Sequence, residues 1–379
     1  MNVFRRPSIT GPLAATLLLT LSACDRAEVE TDAMSSATAD APMIDHSKEL
    51  PVRLVPNIPP AAEAYYAPDD YHFIAQARDP DAQSSGDGRI GGALTYIFSE
   101  DGKVNRRIND RGQDACSYFF PDQERVIWTS TRDNMDMPLG SWSDPKNYPH
   151  GAELYTSDLY GNDIVRLTHD EWYDAEVTVS PNGEWIVWTK QIDSNANLWR
   201  MRPDGSDKTQ ITFTEDWQPG APFYLPDNET IIFQAWRASE HGKVFPTPMT
   251  VFTIKADGSE LTQRTFTRDM YWGPAPAGDG RHYLYTTVID DGNWELFLGD
   301  LGGEEPRRLT YNTGFDGMKS FSKASDKMLF VRTAEHGELF MTHVMDLSSL
   351  NLGAENYQGI PATPVPDDAM LVTDFTAGR

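Results

Sequence analysis

Short runs of β-branched and aromatic residues, separated by tight turns, recur along the chain from about residue 60 to residue 350. Runs of this length and composition predict β-strands, and the Asn-Gly and Asp-Gly turns between them are typical of β-hairpins because both residues tolerate positive φ. Each unit therefore predicts four short antiparallel strands. The clearest unit contains the runs Leu154-Tyr155-Thr156-Ser157-Asp158, Arg166-Leu167-Thr168 and Ser180-Pro181-Asn182-Gly183.

The turn glycines reveal the period of this repeat. Gly161, Gly205, Gly258 and Gly303 are 44, 53 and 45 residues apart. A period near 45 residues with four strands per unit is typical of a propeller blade. Counting by the first hairpin of each unit predicts an all-β fold, a six-bladed β-propeller of four-stranded antiparallel blades. The first blade opens over 65–77, the last spans 318–347, and the others begin near Asp114, Asp174, Gly220 and Gly273.

The repeat resembles that of a known family. The pattern Leu-Tyr-x-x-Asp-x-x-Gly over 154–161, followed by Arg-Leu-Thr and Ser-Pro-Asn-Gly, is similar to the TolB-type propeller repeat, which also occurs in relatives of prolyl oligopeptidase. The resemblance covers about residues 60–350. TolB itself carries an α/β domain before its propeller, and residues 25–60 are too few to form one. The resemblance therefore implies the propeller fold and not the Tol-Pal component itself.

The N-terminus reads as an export signal. Arg5 and Arg6 precede an apolar stretch over 11–21, which is too short to span a bilayer. The ending Leu21-Ser22-Ala23-Cys24 resembles the bacterial lipobox, which implies a signal peptide over 1–23 and lipidation of Cys24. An ordinary secretory signal with a coincidental cysteine is the alternative. Asp25 resembles an inner-membrane retention signal, but the choice between inner and outer membrane stays open.

Composition then sets the domain boundaries. Residues 24–59 are rich in Ala, Ser, Thr, Asp, Glu and Pro, with few apolar groups to bury, and are expected to form a flexible tether. The propeller is expected over 60–350 and a C-terminal tail over 351–379. The chain is thus expected to be a monomer in the bacterial envelope, facing the periplasm, with the lipid anchor as its only membrane contact.

The chain is strongly acidic, with 32 basic residues, 57 acidic residues and a net charge of −25. Such a field repels phosphate backbones and therefore excludes nucleic acid as a natural partner. It favours cations or basic partners, while solubility in a saline habitat explains the charge equally well.

Candidate binding chemistry concentrates on one face of the predicted propeller. The loops that enter the innermost strands, together with the long loops over 78–92, 132–151 and 236–248, emerge on this face and are rich in aromatic and acidic residues. Such loops carry binding residues because the scaffold positions them. The candidate ligand-binding residues are Asp114, Trp172, Tyr173, Asp174, Trp217, Tyr271, Trp272, Phe315 and Asp316.

Two readings of these residues stay open. Exposed Trp and Tyr rings beside carboxylates suit a glycan, and they equally suit a cationic or peptide segment of an envelope protein. The alternative is structural: the recurring aspartates Asp114, Asp174 and Asp316 bond a neighbouring blade, and the tryptophans fill the core between blades.

Catalytic motifs are mostly absent from the sequence. It has no Gly-x-Ser-x-Gly, His-Glu-x-x-His or Cys-x-x-Cys motif, and it predicts no cofactor and no defined metal site. Cys116 is expected to be a small buried hydrophobe. A bound divalent cation stays open, as does convergence of the histidines at 150, 169, 241 and 336.

The leading hypothesis is therefore a binding module for an envelope protein or glycan. The first alternative is a carbohydrate-active enzyme, because TolB-like propellers resemble those of oligogalacturonate lyases. Asp114, Asp174 and Asp316 would then act as acid and base or hold a cation. The second alternative is an accessory role beside a peptidase, in which the propeller filters substrates.

Overall fold

Six four-stranded sheets form the fold, and their innermost strands contact one another in a closed circuit. The computed structural model describes residues 46–78, 92–289, 292–333 and 339–377. The signal peptide, Cys24 and most of the expected tether lie outside the described residues. The prediction of an all-β, six-bladed propeller is confirmed.

The strands are numbered in chain order. β1 is Val52–Leu54. Blade 1 contains β2 (Ala61–Tyr66), β3 (His72–Arg78), β4 (Ala93–Ser99) and β5 (Asn105–Arg107), and blade 2 contains β6 (Asp114–Phe119), β7 (Arg125–Ser130), β8 (Glu153–Asp158) and β9 (Val165–Arg166). Blade 3 contains β10 (Tyr173–Val179), β11 (Ile186–Ile192), β12 (Asn195–Met201) and β13 (Thr209–Gln210). Blade 4 contains β14 (Trp217–Tyr224), β15 (Thr230–Arg237), β16 (Met249–Lys255) and β17 (Thr262–Gln263).

The last two blades complete the circuit. Blade 5 contains β18 (Trp272–Pro276), β19 (His282–Ile289), β20 (Asn293–Asp300) and β21 (Arg307–Arg308). Blade 6 contains β22 (Asp316–Phe321), β23 (Lys327–Arg332) and β24 (Met341–Asp346), and its fourth strand is β1. Short 3-10 helices cover His46–Lys48, Ser348–Leu350 and Ala354–Asn356. No helix among the described residues has the length and apolarity that a membrane crossing requires.

A threonine just after the short outer strand stabilises the outer half of blades 2 to 5. In blade 2 the Thr168 hydroxyl accepts a hydrogen bond of 2.9 Å from the Leu154 amide on the third strand. The same 2.9 Å contact recurs in blades 3, 4 and 5 through the hydroxyls of Thr212, Thr265 and Thr310. In these four blades the repeat therefore pairs the segment after the short outer strand with the strand beside it.

The ring is closed by a strand from the N-terminal side of the propeller. β1 pairs antiparallel with β24, with Val52 opposite Met345 and Leu54 opposite His343. The Val55 amide continues this contact with a 3.0 Å hydrogen bond to the Thr342 carbonyl. The sequence placed the start of the propeller at residue 60, whereas the ordered sheet begins at residue 52. Three residues are too short to show a strand period, because their conformation is set by the partner strand.

The C-terminal segment lies along blades 5 and 4 instead of ending at the sixth blade. The Thr363 hydroxyl bonds the Leu301 carbonyl at 2.6 Å, and the Arg264 guanidinium bonds the Pro361 carbonyl at 2.8 Å. Further on, the Phe375 ring lies 4.9 Å from the Phe252 ring, centroid to centroid. We call residues 357–377 the C-terminal strap.

Every innermost strand contains one β-bulge at the same level. The pairing register shifts there in all six blades, and one residue in each adopts a φ between 42° and 62°. A bulge redirects one side chain without ending the strand. We call these six positions the bulge ring: Glu63, Cys116, Glu176, Ala221, Gly273 and Met318.

Candidate functional site

The entry loops and the second-to-third strand loops meet at one end of the propeller, which we call the loop face. In three places a residue at the start of a third strand forms a β-bridge with the residue at or before the next innermost strand. These bridges bring together two kinds of loop from adjacent blades. The bridged pairs are Ala152 with Tyr173, Met249 with Met270, and Trp294 with Phe315.

Asp114 is buried beneath the loop face and links two blades. Its carboxylate accepts 2.8 Å hydrogen bonds from the amide and the hydroxyl of Thr95 in blade 1. The Asn109 side chain donates a third hydrogen bond at 2.7 Å. Burial raises the pKa of Asp114 to about 6, and the hydrogen bonds oppose that shift.

Asp174 and Asp316 are also buried and fully engaged. Asp174 accepts hydrogen bonds from the Trp188 indole at 2.5 Å and from the Lys190 ammonium at 2.9 Å, and burial raises its pKa to about 7. Asp316 pairs with the Arg332 guanidinium at 2.7 and 2.9 Å. These contacts favour the structural reading of the three aspartates, and a role in contacting a ligand stays a prediction.

Trp217 is covered by the C-terminal strap. Its indole nitrogen donates a 3.1 Å hydrogen bond to Asp374, and its ring lies 5.9 Å from both Phe252 and Phe375, centroid to centroid. Arg237 closes the arrangement by bonding both carboxylate oxygens of Asp374 at 2.6 and 2.7 Å. The sequence could not show this cover, because Asp374 lies 157 positions away from Trp217.

Tyr173 and Tyr271 are buried rings at the entry of two blades. Tyr173 stacks on Tyr148 with centroids 4.1 Å apart and planes at 11°, and Trp142 lies 6.0 Å away. Both partners come from the long loop of blade 2. Tyr271 packs against Tyr285 at 5.0 Å. Loops that are distant in sequence are thereby packed into the loop face.

A half-buried aromatic cluster lies between blades 5 and 6. The Trp272 ring lies 5.9 Å from Trp294 at 79°, and 6.2 Å from Phe315. Phe315 in turn lies 5.6 Å from Phe340. We call Trp272, Trp294, Phe315 and Phe340 the aromatic shelf. Trp272 and Phe315 were predicted from their entry loops, and the structure brings them together. Trp172, also half-buried, lies at the entry to blade 3.

Two carboxylates of the bulge ring point along the ring toward the next blade. Glu63 accepts a 2.8 Å hydrogen bond from the Cys116 amide, and Glu176 accepts one of 2.6 Å from the Ala221 amide. Burial raises the pKa of both carboxyl groups. Sequence reasoning missed both residues. The signal was available for Glu176, which follows the recurring aspartate Asp174 by two positions, as Cys116 follows Asp114.

Cys116 lies between these two carboxylates. It is a free, half-buried cysteine on the innermost strand of blade 2. Burial, followed by the nearby charges of Glu63 and Glu176, raises the pKa of the thiol well above its usual value. The thiol therefore stays protonated near neutral pH and is a poor nucleophile.

Below the bulge ring, large rings narrow the channel. The Tyr65 ring lies 5.5 Å from Tyr118 and 6.0 Å from Phe223, and Tyr118 lies 6.2 Å from Phe223. These residues come from blades 1, 2 and 4. Because Tyr65 and Phe223 come from opposite sides of the circuit, the rings meet across the axis, so a ligand meets the bulge ring from the loop face.

Lys319 is the basic group at the level of the bulge ring. Its side chain is buried, and its ammonium nitrogen donates to the Trp272 carbonyl at 2.8 Å and to the Gly273 carbonyl. A β-carbon added to Gly273 would lie 2.8 Å from this nitrogen. The amine thus takes the place of the side chain that blade 5 lacks. Burial lowers the pKa of Lys319 to about 7.

The lowered pKa predicts that Lys319 makes stability depend on pH. Between pH 7 and the ordinary value of 10.5, the unfolded chain binds a proton that the native amine does not, so stability rises with pH in this window. We expect the free energy of unfolding of the wild type, minus that of Lys319→Met, to increase from pH 7 to pH 9.5. Urea denaturation at both pH values measures it, and a constant difference would contradict the assignment.

Comparison with known proteins bears on the fold. No family model matches the sequence. An uncharacterised protein from Agrobacterium fabrum is 31% identical over 133 residues, which are 33% of this chain and 44% of that protein. The match therefore spans less than half the length of this relative. TolB from Acinetobacter baumannii has a TM-score of 0.54 at 14% identity, covering 74% of this chain and 62% of TolB.

The fold is that of the TolB-type propellers. Oligogalacturonate lyases share it: the enzyme from Vibrio parahaemolyticus has a TM-score of 0.50 at 10% identity, covering 82% of this chain and 96% of the lyase. A lyase in complex with manganese also gives 0.50, at 13% identity over 80% of this chain and 95% of that one. At these identities the likeness establishes the fold alone.

One of these lyases holds manganese, whereas the described residues of this chain form no comparable group of ligands. Across the described ranges, no three His, Cys, Asp or Glu side chains are grouped so that they could hold a metal ion. His150 and His169 are exposed, while the His241 ring packs against Trp236, with centroids 5.1 Å apart and planes at 49°. His336 lies outside the described residues. The described residues therefore do not fit a bound manganese ion.

Proposed function

We propose that this protein is a lipid-anchored envelope protein whose propeller binds a protein or glycan ligand on its loop face. Cys24 carries the anchor, and the propeller faces the periplasm as a monomer. One observation supports the site: the half-buried Trp272 ring lies beside the Lys319 amine, at the level of the bulge ring that also carries Glu63 and Glu176. Aromatic rings with few, precisely placed polar groups are typical of binding sites.

The loop face also carries apolar side chains that are open to solvent. Phe245 is 76% exposed and Met135 is 56% exposed, and both lie on second-to-third strand loops. Exposed apolar groups near a polar rim are typical of an interaction surface. They extend the proposed site outward from the channel and favour a ligand larger than a small molecule.

The enzymatic alternative needs carboxylates that meet a substrate. Asp114, Asp174 and Asp316 are buried in hydrogen bonds and do not line an open pocket. Glu63 and Glu176 are half-buried on innermost strands, and their raised pKa values are suited to proton transfer. A carbohydrate-active enzyme using these two glutamates is therefore the second candidate.

Site-specific crosslinking tests the proposal. A photoreactive phenylalanine placed at Trp172, on the loop face, is expected to capture an envelope partner in living cells. The same group at Tyr160, a 65% exposed aromatic on the opposite, hairpin face, is the matched control and should capture none. Replacing Trp142, Trp172 and Trp272 with Ala is expected to reduce the capture, or the signal on a glycan array, at least tenfold, in line with the loss of interface anchors. Equal capture from both faces would contradict the proposal.

A further inference from the structure

Lys319 is a buried amine without an acidic partner. Its side chain is only 6% exposed, and it forms no ion pair with any carboxylate of the described ranges. Most buried lysines in proteins are paired, because an isolated ammonium is costly to remove from water. The neighbouring Asp316 is already neutralised by Arg332. No described side chain therefore compensates the free-energy cost of burying this amine.

The hydrogen bonds leave part of the amine unused. A lysine ammonium has three donors. Two are taken by the backbone carbonyls of Trp272 and Gly273. Gly273 has no side chain, and the Lys319 amine fills the space that a side chain would take there. Glu63 and Glu176 are the residues at the equivalent positions in blades 1 and 3. The third donor has no hydrogen-bond partner among the described residues.

The aromatic shelf lies directly beside this donor. Trp272 both supplies a carbonyl to Lys319 and places its ring 5.9 Å from the amine. Trp294 and Phe315 extend the shelf away from the channel. A ligand whose anionic group binds Lys319 would therefore place its apolar part on these aromatic rings.

We propose that Lys319 is the anion-binding group of the loop-face site and holds a carboxylate of a bound protein segment. The inference rests on the proposed function and narrows its ligand. Glu63 in blade 1 and Glu176 in blade 3 belong to the same bulge ring, so a ligand that spans the channel meets one basic and two acidic groups. Protein segments carry charges of both signs, whereas a neutral glycan carries neither and a polyanionic glycan is repelled by the acidic chain.

The experiment compares a carboxylic acid with its uncharged amide. N-acetyl-phenylalanine and N-acetyl-phenylalanine amide differ only in the carboxylate, and calorimetric titration of the purified protein measures both affinities. We expect the acid to bind at least about tenfold more tightly, as a charge-assisted hydrogen bond predicts. Lys319→Met is expected to abolish the difference, and Lys319→Arg to retain part of it. Lys323→Met, at an exposed lysine on the hairpin face, is the matched control.

Each outcome decides between readings. Equal binding of acid and amide by the wild type overturns the inference. This comparison uses the wild-type protein alone, so it does not depend on whether a variant folds. Preservation of the acid preference in a folded Lys319→Met variant overturns it as well. Tighter binding of glucuronate than of either peptide probe would assign a glycan and overturn the protein part. Loop-face crosslinks without acid preference would leave the proposed function standing and remove the inference alone.

Discussion

A chain that begins at residue 60 is expected to be less stable than one that begins at residue 46 by roughly 3–6 kcal/mol. The missing segment carries β1, which closes blade 6, and it buries Val55 and Ile58 almost completely. Burial of two such side chains accounts for this range, at about 1.5–3 kcal/mol each. The loss also leaves the backbone groups of β24 unpaired at a sheet edge, which favours aggregation. Urea denaturation of both chains measures the difference.

A point variant in β1 separates strand pairing from side-chain burial. Leu54 lies in β1 but is 40% exposed, so Leu54→Ala should cost less than about 1 kcal/mol. Val55→Ala, at a fully buried position, should cost more. If the chain from residue 60 were as stable as the longer one, β1 would not close the ring, and the boundary at residue 60 would stand.

Asp174→Ala is expected to lower the free energy of unfolding by about 3–5 kcal/mol. Asp174 is fully buried, and its removal leaves the buried Lys190 ammonium and the Trp188 indole without their shared acceptor. Loss of a buried partner carries this cost because the Lys190 ammonium then keeps only the partly exposed Asp170 as a counter-charge. Urea denaturation followed by tryptophan fluorescence measures the change.

Asp170 provides the matched control for this variant. It also contacts the Lys190 ammonium, at 2.6 Å, but its side chain is 38% exposed. Asp170→Ala should therefore cost no more than about 1 kcal/mol. A loss below 1 kcal/mol for Asp174→Ala would show that the fold does not need this carboxylate, and it would favour the ligand-binding role predicted from the sequence.

The two groups of candidate residues differ in how far the sequence could predict them. The recurring aspartates were recognised from their register, but register alone cannot separate a carboxylate that binds a ligand from one that bonds Thr95, Lys190 or Arg332. That choice depends on which groups the neighbouring strand places opposite, and for Asp114 the partner Thr95 lies in another blade. For the aromatic shelf, the sequence identified the residues but not their contact. Its predicted members Trp272 and Phe315 meet only because blades 5 and 6 pack side by side.

Trp217 shows why exposure cannot be read from a loop position. Its place at the entry of blade 4 was correctly identified, since the local pattern of β14 sets it. Its accessibility is decided by Asp374 and Phe375, which reach it from the C-terminal strap. The strap has no strand period of its own, because its contacts are made with side chains and carbonyls of the blades it crosses.

The sequence by itself determined the six-bladed architecture and the division into a loop face and a hairpin face. It did so because hairpin turns and strand alternation are local and recur in each blade, as the threonine hydrogen bonds do in blades 2 to 5. Only the tertiary structure decided how the ring closes through β1, and which carboxylates are buried. It also decided that the Lys319 amine occupies the place left by Gly273. These features join residues that are distant in the chain, and their energies depend on packing and desolvation, which a linear pattern does not contain.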